Sequence, residues 1–398
     1  MKFHLVLALL GLIWAAAAPI ADAADSPAAA GDKLRDEGKL SEALAAYRKA
    51  WSAASGTARA ELVIRQALVL EMQGKLEGAR ELLQQARKDD AVGAAIEEAR
   101  LAMEYPPFDP APAVAALAEA VKRAPEHAGA QTAYGNALVN AGKPDEARDA
   151  FDRVTSKLDP KSVPARWGRS RMLLRQGKAT DAIGALQEAL ELEPSRGETM
   201  VRLGNAYLSS AEPNRLAQAR AWFEQAGRTS PGNPAYAQWE VLAYLLEDRA
   251  GDAAEKVAYL QEKFPEHSAT LWAAGACAEV RTQMAQASDL YRKAAAVDAR
   301  NLLAHYSLGQ FASGRGNREW AKAGMTSGAY ANYSDTDLAV RQLSYVLAAA
   351  GGDFPFAVLA QGTLDALRKR AQANPWTAMP APVLTEFYNY GKALNDHY

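Results

Sequence analysis

Cysteine occurs once in this 398-residue chain, at Cys277, so no internal disulfide can form and the fold rests on packing alone. A lone cysteine far from any other ligand type reads as a small buried residue. Histidine is nearly as scarce. His4, His127, His267, His305 and His397 are the only five, and none has a metal-ligand neighbour in sequence. Charge of one sign is also missing: 45 Lys and Arg stand against 47 Asp and Glu, interspersed along the chain, for a net charge of −2. That balance argues against a polyanion partner, and hence against nucleic acid; the densest basic cluster is Arg368-Lys369-Arg370, read as a solvated helix end.

The motifs of the common chemistries are absent as well. There is no HExxH, CxxC, GxSxG or Walker phosphate loop, and Gly314-Arg315-Gly316 is followed by Glu319 where a dinucleotide fingerprint needs glycine. Paired carboxylates such as Asp89-Asp90 and Glu97-Glu98 fall on polar helix ends or faces. The sequence therefore predicts a non-enzyme, with no catalytic, cofactor-binding or metal-binding residues and no cofactor. The one constellation that would reverse this reading is a cleft converging His305, Asp335, Asp337 and His397.

The N-terminus carries an apolar run from Leu5 to Ala18 after Lys2, then Ala21-Asp22-Ala23. A run this short falls below the roughly 20 residues of a bilayer span, and small residues follow it where signal peptidase cuts. Residues 1–23 are expected to be a signal peptide cleaved after Ala23, leaving a periplasmic protein with no transmembrane domain; a retained anchor is the alternative. The only cysteine lies far from this site, which argues against an N-terminal lipoprotein.

What the sequence does have is a repeat. Alanine, a large apolar residue four later and an apolar residue three after that recur as Ala43-Tyr47-Ala50, Ala79-Leu83-Ala86, Ala113-Leu117-Ala120, Ala147-Phe151-Val154, Ala182-Leu186-Ala189, Ala219-Phe223-Ala226, Ala253-Val257-Leu260 and Ala287-Tyr291-Ala294. Their first residues are 36, 34, 34, 35, 37, 34 and 34 apart. Spacing of four then three puts each triplet on one stripe of a helix. Gly38-Lys39, Gly74-Lys75, Gly142-Lys143 and Gly177-Lys178 mark turns ahead of triplets, and Pro125, Pro160, Pro194, Pro231 and Pro265 stop helices after them. His127 and His267 sit in matching Pro-Glu-His turns, which points to a role in the repeat turn. Each repeat is therefore a helical hairpin whose second helix is buried along the triplet.

With this period, and with large-Gly pairs at Tyr134-Gly135 and Leu203-Gly204, residues 30 to 300 resemble the tetratricopeptide repeat. The third repeat departs from it at Tyr105-Pro106-Pro107-Phe108-Asp109-Pro110, the sixth has a long turn around Glu212-Pro213-Asn214, and the seventh lacks the large-Gly pair. The resemblance implies an all-α, right-handed solenoid of eight or nine hairpins over residues 24–300. A divergent repeat and connection is expected at 301–334, beginning with Tyr306-Ser307-Leu308-Gly309. A helical cap with a tail rich in proline and aromatics follows at 335–398, with helices over Asp335–Ala350 and Pro355–Ala373.

The family's first helices line a groove that holds a peptide or a helix. Carried over position by position, groove residues are Thr132, Asn136 and Asn140, then Trp167, Arg171 and Arg175, then Val201, Asn205 and Ser209, and Trp272. Asparagines at equivalent places can grip a peptide backbone, and Arg171 with Arg175 can clamp a carboxylate. The expected function is a periplasmic adaptor or scaffold for a protein partner. The alternative is a polysaccharide-binding helper in exopolysaccharide or peptidoglycan handling, which requires an exposed tryptophan among Trp51, Trp167, Trp222, Trp239, Trp272, Trp320 and Trp376.

Overall fold

A computed structural model describes residues 27–36, 40–73, 75–104, 109–298, 301–321, 330, 332–349 and 354–373. They fall into two compact units divided between Gly168 and Arg169. The signal-peptide segment, His4, His397, Trp376 and the tail from Asn374 lie outside the described residues, as do the Gly38, Gly74 and Gly351-Gly352 turns.

Every described element is a helix or a turn, as the repeat predicts for an all-α solenoid. In the first unit α1 (Pro27–Asp36) and α2 (Leu40–Trp51), α3 (Gly56–Met72) and α4 (Leu76–Ala86), α5 (Ala91–Glu104) and α6 (Pro110–Arg123), and α7 (Ala128–Asn140) and α8 (Pro144–Arg153) pair as hairpins. Helix α9 (Val163–Arg175) spans the division and turns at Gly177 into α10 (Ala179–Leu192). The second unit continues with α11 (Gly197–Leu208) and α12 (Arg215–Thr229), α13 (Pro234–Leu246) and α14 (Ala250–Lys263), α15 (Ser268–Val280) and α16 (Met284–Val297), then α17 (Leu302–Ala312), α18 (Thr336–Ala349) and α19 (Ala357–Ala373). First helices of successive hairpins also touch, α3 with α5 and α5 with α7 in one unit, α11 with α13, α13 with α15 and α15 with α17 in the other. No helix among the described residues is long and apolar enough to cross a membrane.

All eight predicted triplets are buried, from Ala43, Tyr47 and Ala50 to Ala287, Tyr291 and Ala294. The small first residue and large second residue are two sides of one packing solution. The second-helix ring lies on the first-helix glycine: Phe151 covers Gly135, Phe223 covers Gly204 and Tyr291 covers Gly275, leaving no room for a Cβ. The seventh hairpin solves the same problem differently. Val257 replaces the ring and fully buried Val241 stands at the glycine position, while Glu240 beside it is almost fully buried and pairs with Lys256 at 2.6 Å.

Turns follow a shared pattern too. Lys143 N–H bonds Leu138 O and Lys178 N–H bonds Leu173 O, both at 2.9 Å, with Gly142 and Gly177 left-handed at φ +72°. The seventh and eighth hairpins close the same six-to-one bond, Arg249 to Tyr244 and Gln283 to Ala278, but place Asp248 and Thr282 at the left-handed position, φ +63° and +60°. Both Pro-Glu-His turns prove to be helix caps: His127 Nδ1 accepts from Ala130 N–H and His267 Nδ1 from Ala269 N–H, each at 3.1 Å. Asn233 and Asn301 do the same work at 3.0 and 3.2 Å.

The irregular spacings have local causes. The fourth repeat carries one extra residue between triplet and proline, and the chain absorbs it as a π-helical turn over Val154–Leu158, closed by Asp159 N–H to Val154 O at 2.8 Å. The sixth repeat's excess sits in the turn between α11 and α12. A ninth triplet, Ala339-Leu343-Val346, is fully or almost fully buried on α18, and Leu343 covers Gly309 of α17 in the manner of the earlier rings. The ninth hairpin thus exists, with residues 313–335 inserted where its neighbours have a short turn.

Candidate functional site

The groove positions inferred from the sequence occupy first helices, but half of them are buried. In the first unit Thr132 and Trp167 are buried, Asn140 is half-buried, and Asn136 is 4 % exposed. One position beyond Gly135, the Asn136 side chain is rotated from the second helix toward the neighbouring first helix, and its Oδ1 faces Gly168. Asn205, one beyond Gly204 in the second unit, is 7 % exposed; its Oδ1 is sealed from solvent with no hydrogen-bond partner among the described residues. The two asparagines are equivalent, as their spacing implies, but they lie at seams between helices and not on an open ladder.

The accessible members are in the second unit. Arg175 and Ser209 are exposed, Arg171 and Val201 are partly exposed, and Ser209 Oγ donates to Asn205 O at 3.0 Å. Trp272 differs from the expectation. It is fully buried, donates from Nε1 to Ser307 Oγ at 2.8 Å and meets Trp320 edge-on with centroids 6.0 Å apart. It occupies the same register on α15 as Val201 on α11, three residues before the glycine, but other parts of the chain cover it.

No tryptophan among the described residues is exposed, and each has a local partner or packing site. The Arg59 guanidinium lies over Trp51 at 4.0 Å, and Trp239 stacks on Phe223. The residues set aside for an enzyme reading have structural uses. His305 Nδ1 bonds Gln342 Oε1 and its ring lies against Tyr345; Asp335 caps α18 by accepting from Leu338 N–H at 2.9 Å; Asp337 is exposed. Cys277 is buried, which pushes its thiol up to about 11. Asp90 caps α5, and Glu97 and Glu98 pair with Arg100 and Arg87.

Sequence reasoning missed two buried acids. Glu240 and Glu279 are each the lone acidic residue of an otherwise uncharged first helix, which is the signal that would have found them. Burial pushes both carboxyls above the usual carboxylate range, opposed by Lys256 at Glu240 and by hydrogen bonds at Glu279. The long sixth turn also opens a cleft of about 510 Å³ beside Pro213, Asn214, Arg220, Glu247 and Arg249, where Arg220 already bridges Glu224 and Glu247.

Residues 109–163 and 173–242 match tetratricopeptide-repeat family models. No curated protein matches the chain in sequence. Solved structures similar to it include a thermophilic tetratricopeptide-repeat protein of Thermus thermophilus, at 22% identity over 47% of this chain and 99% of that one, TM-score 0.42. A tetratricopeptide repeat protein of Parabacteroides merdae aligns at 11% identity over 62% and 97%, TM-score 0.44. The pilF protein of Pseudomonas aeruginosa aligns at 19% identity over 55% and 96%, TM-score 0.40. The repeat period, the glycine–ring contacts and the family matches over residues 109–163 and 173–242 agree on tetratricopeptide repeats in this chain.

Proposed function

We propose that this protein is an exported adaptor that holds a peptide or helix of a partner protein against its first helices. The tetratricopeptide fold is a protein-interaction scaffold, and that coarse role follows from the family. The observation that carries the finer reading is the side-by-side packing of successive first helices in each unit, which presents consecutive helical faces at a regular repeat. On the second unit that face offers Arg171, Arg175, Val201 and Ser209 to a ligand, a mixture of cationic, hydroxyl and apolar groups suited to an extended chain or a helix end. Export rests on the sequence of residues 1–23 and places the protein in the periplasm.

Crosslinked capture of the mature protein from its own periplasm, with both proteins and glycans identified, tests the reading. A specific protein captured by the wild type and lost in an Arg171→Glu/Arg175→Glu variant of unchanged helicity supports the adaptor. Glycan captured without protein overturns it in favour of a polysaccharide helper. The N-terminal residue of the mature chain tests export: Ala24 is expected, and an intact Met1 in the periplasmic fraction contradicts cleavage.

A further inference from the structure

Glu279 is wholly removed from solvent and accepts four hydrogen bonds. Tyr291 Oη donates at 2.7 Å and Tyr330 Oη at 2.8 Å, while Asn317 donates its backbone N–H to one carboxylate oxygen at 2.9 Å and its side-chain Nδ2 to the other at 2.8 Å. No ion pair reaches this carboxylate among the described residues. A buried carboxylate without a cation is expensive to maintain, and here its compensation is hydrogen bonding alone. Three of the four donors belong to the insertion between α17 and α18, which no other hairpin carries at its turn.

The same insertion supplies the cover over Trp272. Trp320 lies edge-on to Trp272 of α15 and 6.3 Å from Tyr306 of α17, and Asn317 Nδ2 also reaches Ser307 O at 3.3 Å. Gly316 is left-handed at φ +66° with the Tyr330 phenol directly against it, so only glycine fits there. The contrast between hairpins is instructive. Val201 on α11 is partly exposed, whereas the residue at the same register on α15 is sealed beneath a segment of this chain.

We propose that residues 313–321 are a strap seated on the first-helix face of α15 and α17 in place of a partner, latched by Glu279. Releasing it uncovers Trp272 and the Trp320-facing side of Tyr306, whose ring keeps its contacts with Phe354 and Phe356, as a docking surface for a peptide segment that carries an amide donor and an aromatic side chain. The strap itself defines that ligand chemistry: Asn317 engages the carboxylate and Trp320 the two rings. This rests on the first-helix face being the docking face, but strap release is read without any partner and so fails separately from that reading.

The latch has a specific weakness. Because Asn317 donates to both carboxylate oxygens, an amide at position 279 can accept from only one of its two donors, whichever way it is turned. Hydrogen exchange on the full chain tests the latch. In Glu279→Gln, amides of residues 314–321 are expected to exchange about ten- to a hundredfold faster, the effect of losing one charge-assisted hydrogen bond, while α15 and α16 keep their protection. Unchanged protection of 314–321 overturns the latch; loss spread equally over α15 to α18 shows an ordinary core segment and overturns the strap.

A second variant tests the docking surface with Glu279 intact. Asn317→Ala/Trp320→Ala removes the strap's own anchors, and a labelled synthetic peptide of residues 313–321 is then added in trans. Saturable binding to the variant and none to the wild type is expected. Absence of binding to a variant that retains its helicity overturns the docking surface.

Discussion

The ring of Phe151 rests on the backbone of Gly135, so close that a Cβ on the glycine would lie 2.6 Å from the nearest ring carbon. One contact thus joins the two halves of the repeat signature, the large-Gly pair of a first helix and the triplet of the second. Gly135→Ala or Gly204→Ala should force the ring away and cost about 1–3 kcal/mol, although alanine is the better helix former. Gly184 in α10 is the control, because nothing lies within 4 Å of its Cβ position. Gly184→Ala should stabilise by about 0.5–1 kcal/mol, so thermal melting must show opposite signs at the two kinds of site. Ala147→Leu and Ala182→Leu, at fully buried first triplet positions, should cost a similar 1–3 kcal/mol, roughly, by overpacking; unchanged melting of both contradicts the helix-face assignment.

Thr282 holds a left-handed conformation that a β-branched residue rarely adopts. Thr282→Gly should therefore raise stability by about 1 kcal/mol, since the six-to-one bond from Gln283 to Ala278 survives the change. Chemical denaturation of the single variant checks this, and a lower midpoint counts against it.

The cap at His267 should make stability depend on pH. Burial holds its pKa below the ordinary histidine value of about 6.5, and its Nδ1 must stay unprotonated to accept from Ala269 N–H. A depressed folded pKa means that the unfolded chain binds more protons, so this contribution is fully present above about pH 6.5 and is lost as pH falls through the lower folded value. His267→Asn keeps a capping acceptor without a titrating group. Melting temperatures of wild type and variant should converge above pH 7 and separate below pH 6, roughly, with the variant more stable.

The π turn makes the fourth repeat tolerant of shortening. Deleting exposed Ser156 restores the common distance from triplet to proline, and the segment should relax into α-helix with a stability change within about 1 kcal/mol. Deleting Ala185 in the regular α10 would instead rotate Leu186 and Ala189 off the buried stripe. Equal losses from the two deletions would contradict this account of the extra residue.

Much of the hairpin architecture was legible because its determinants are local. A triplet such as Ala182-Leu186-Ala189 spans two turns of one helix, left-handed Gly177 closes the turn ahead of it, and Pro194 stops the helix beyond; each signal acts within a few residues. A ninth hairpin was expected only as an irregular repeat, and its triplet Ala339-Leu343-Val346 was not singled out although it obeys the same spacing, because residues 313–335 push it out of period with Ala287.

The direction of side chains across seams was decided elsewhere. Asn136 and Asn205 are equivalent in sequence and in structure, yet only the approach of the neighbouring first helix buries them. Trp272 stands at a register open on α11, and it is covered because Trp320, distant in sequence, folds onto it. The sequence by itself determined the repeats, turns and buried stripes, which depend on helical periodicity. Tertiary structure alone decided which first-helix faces remain exposed, because exposure depends on what a distant segment covers and no local period encodes that.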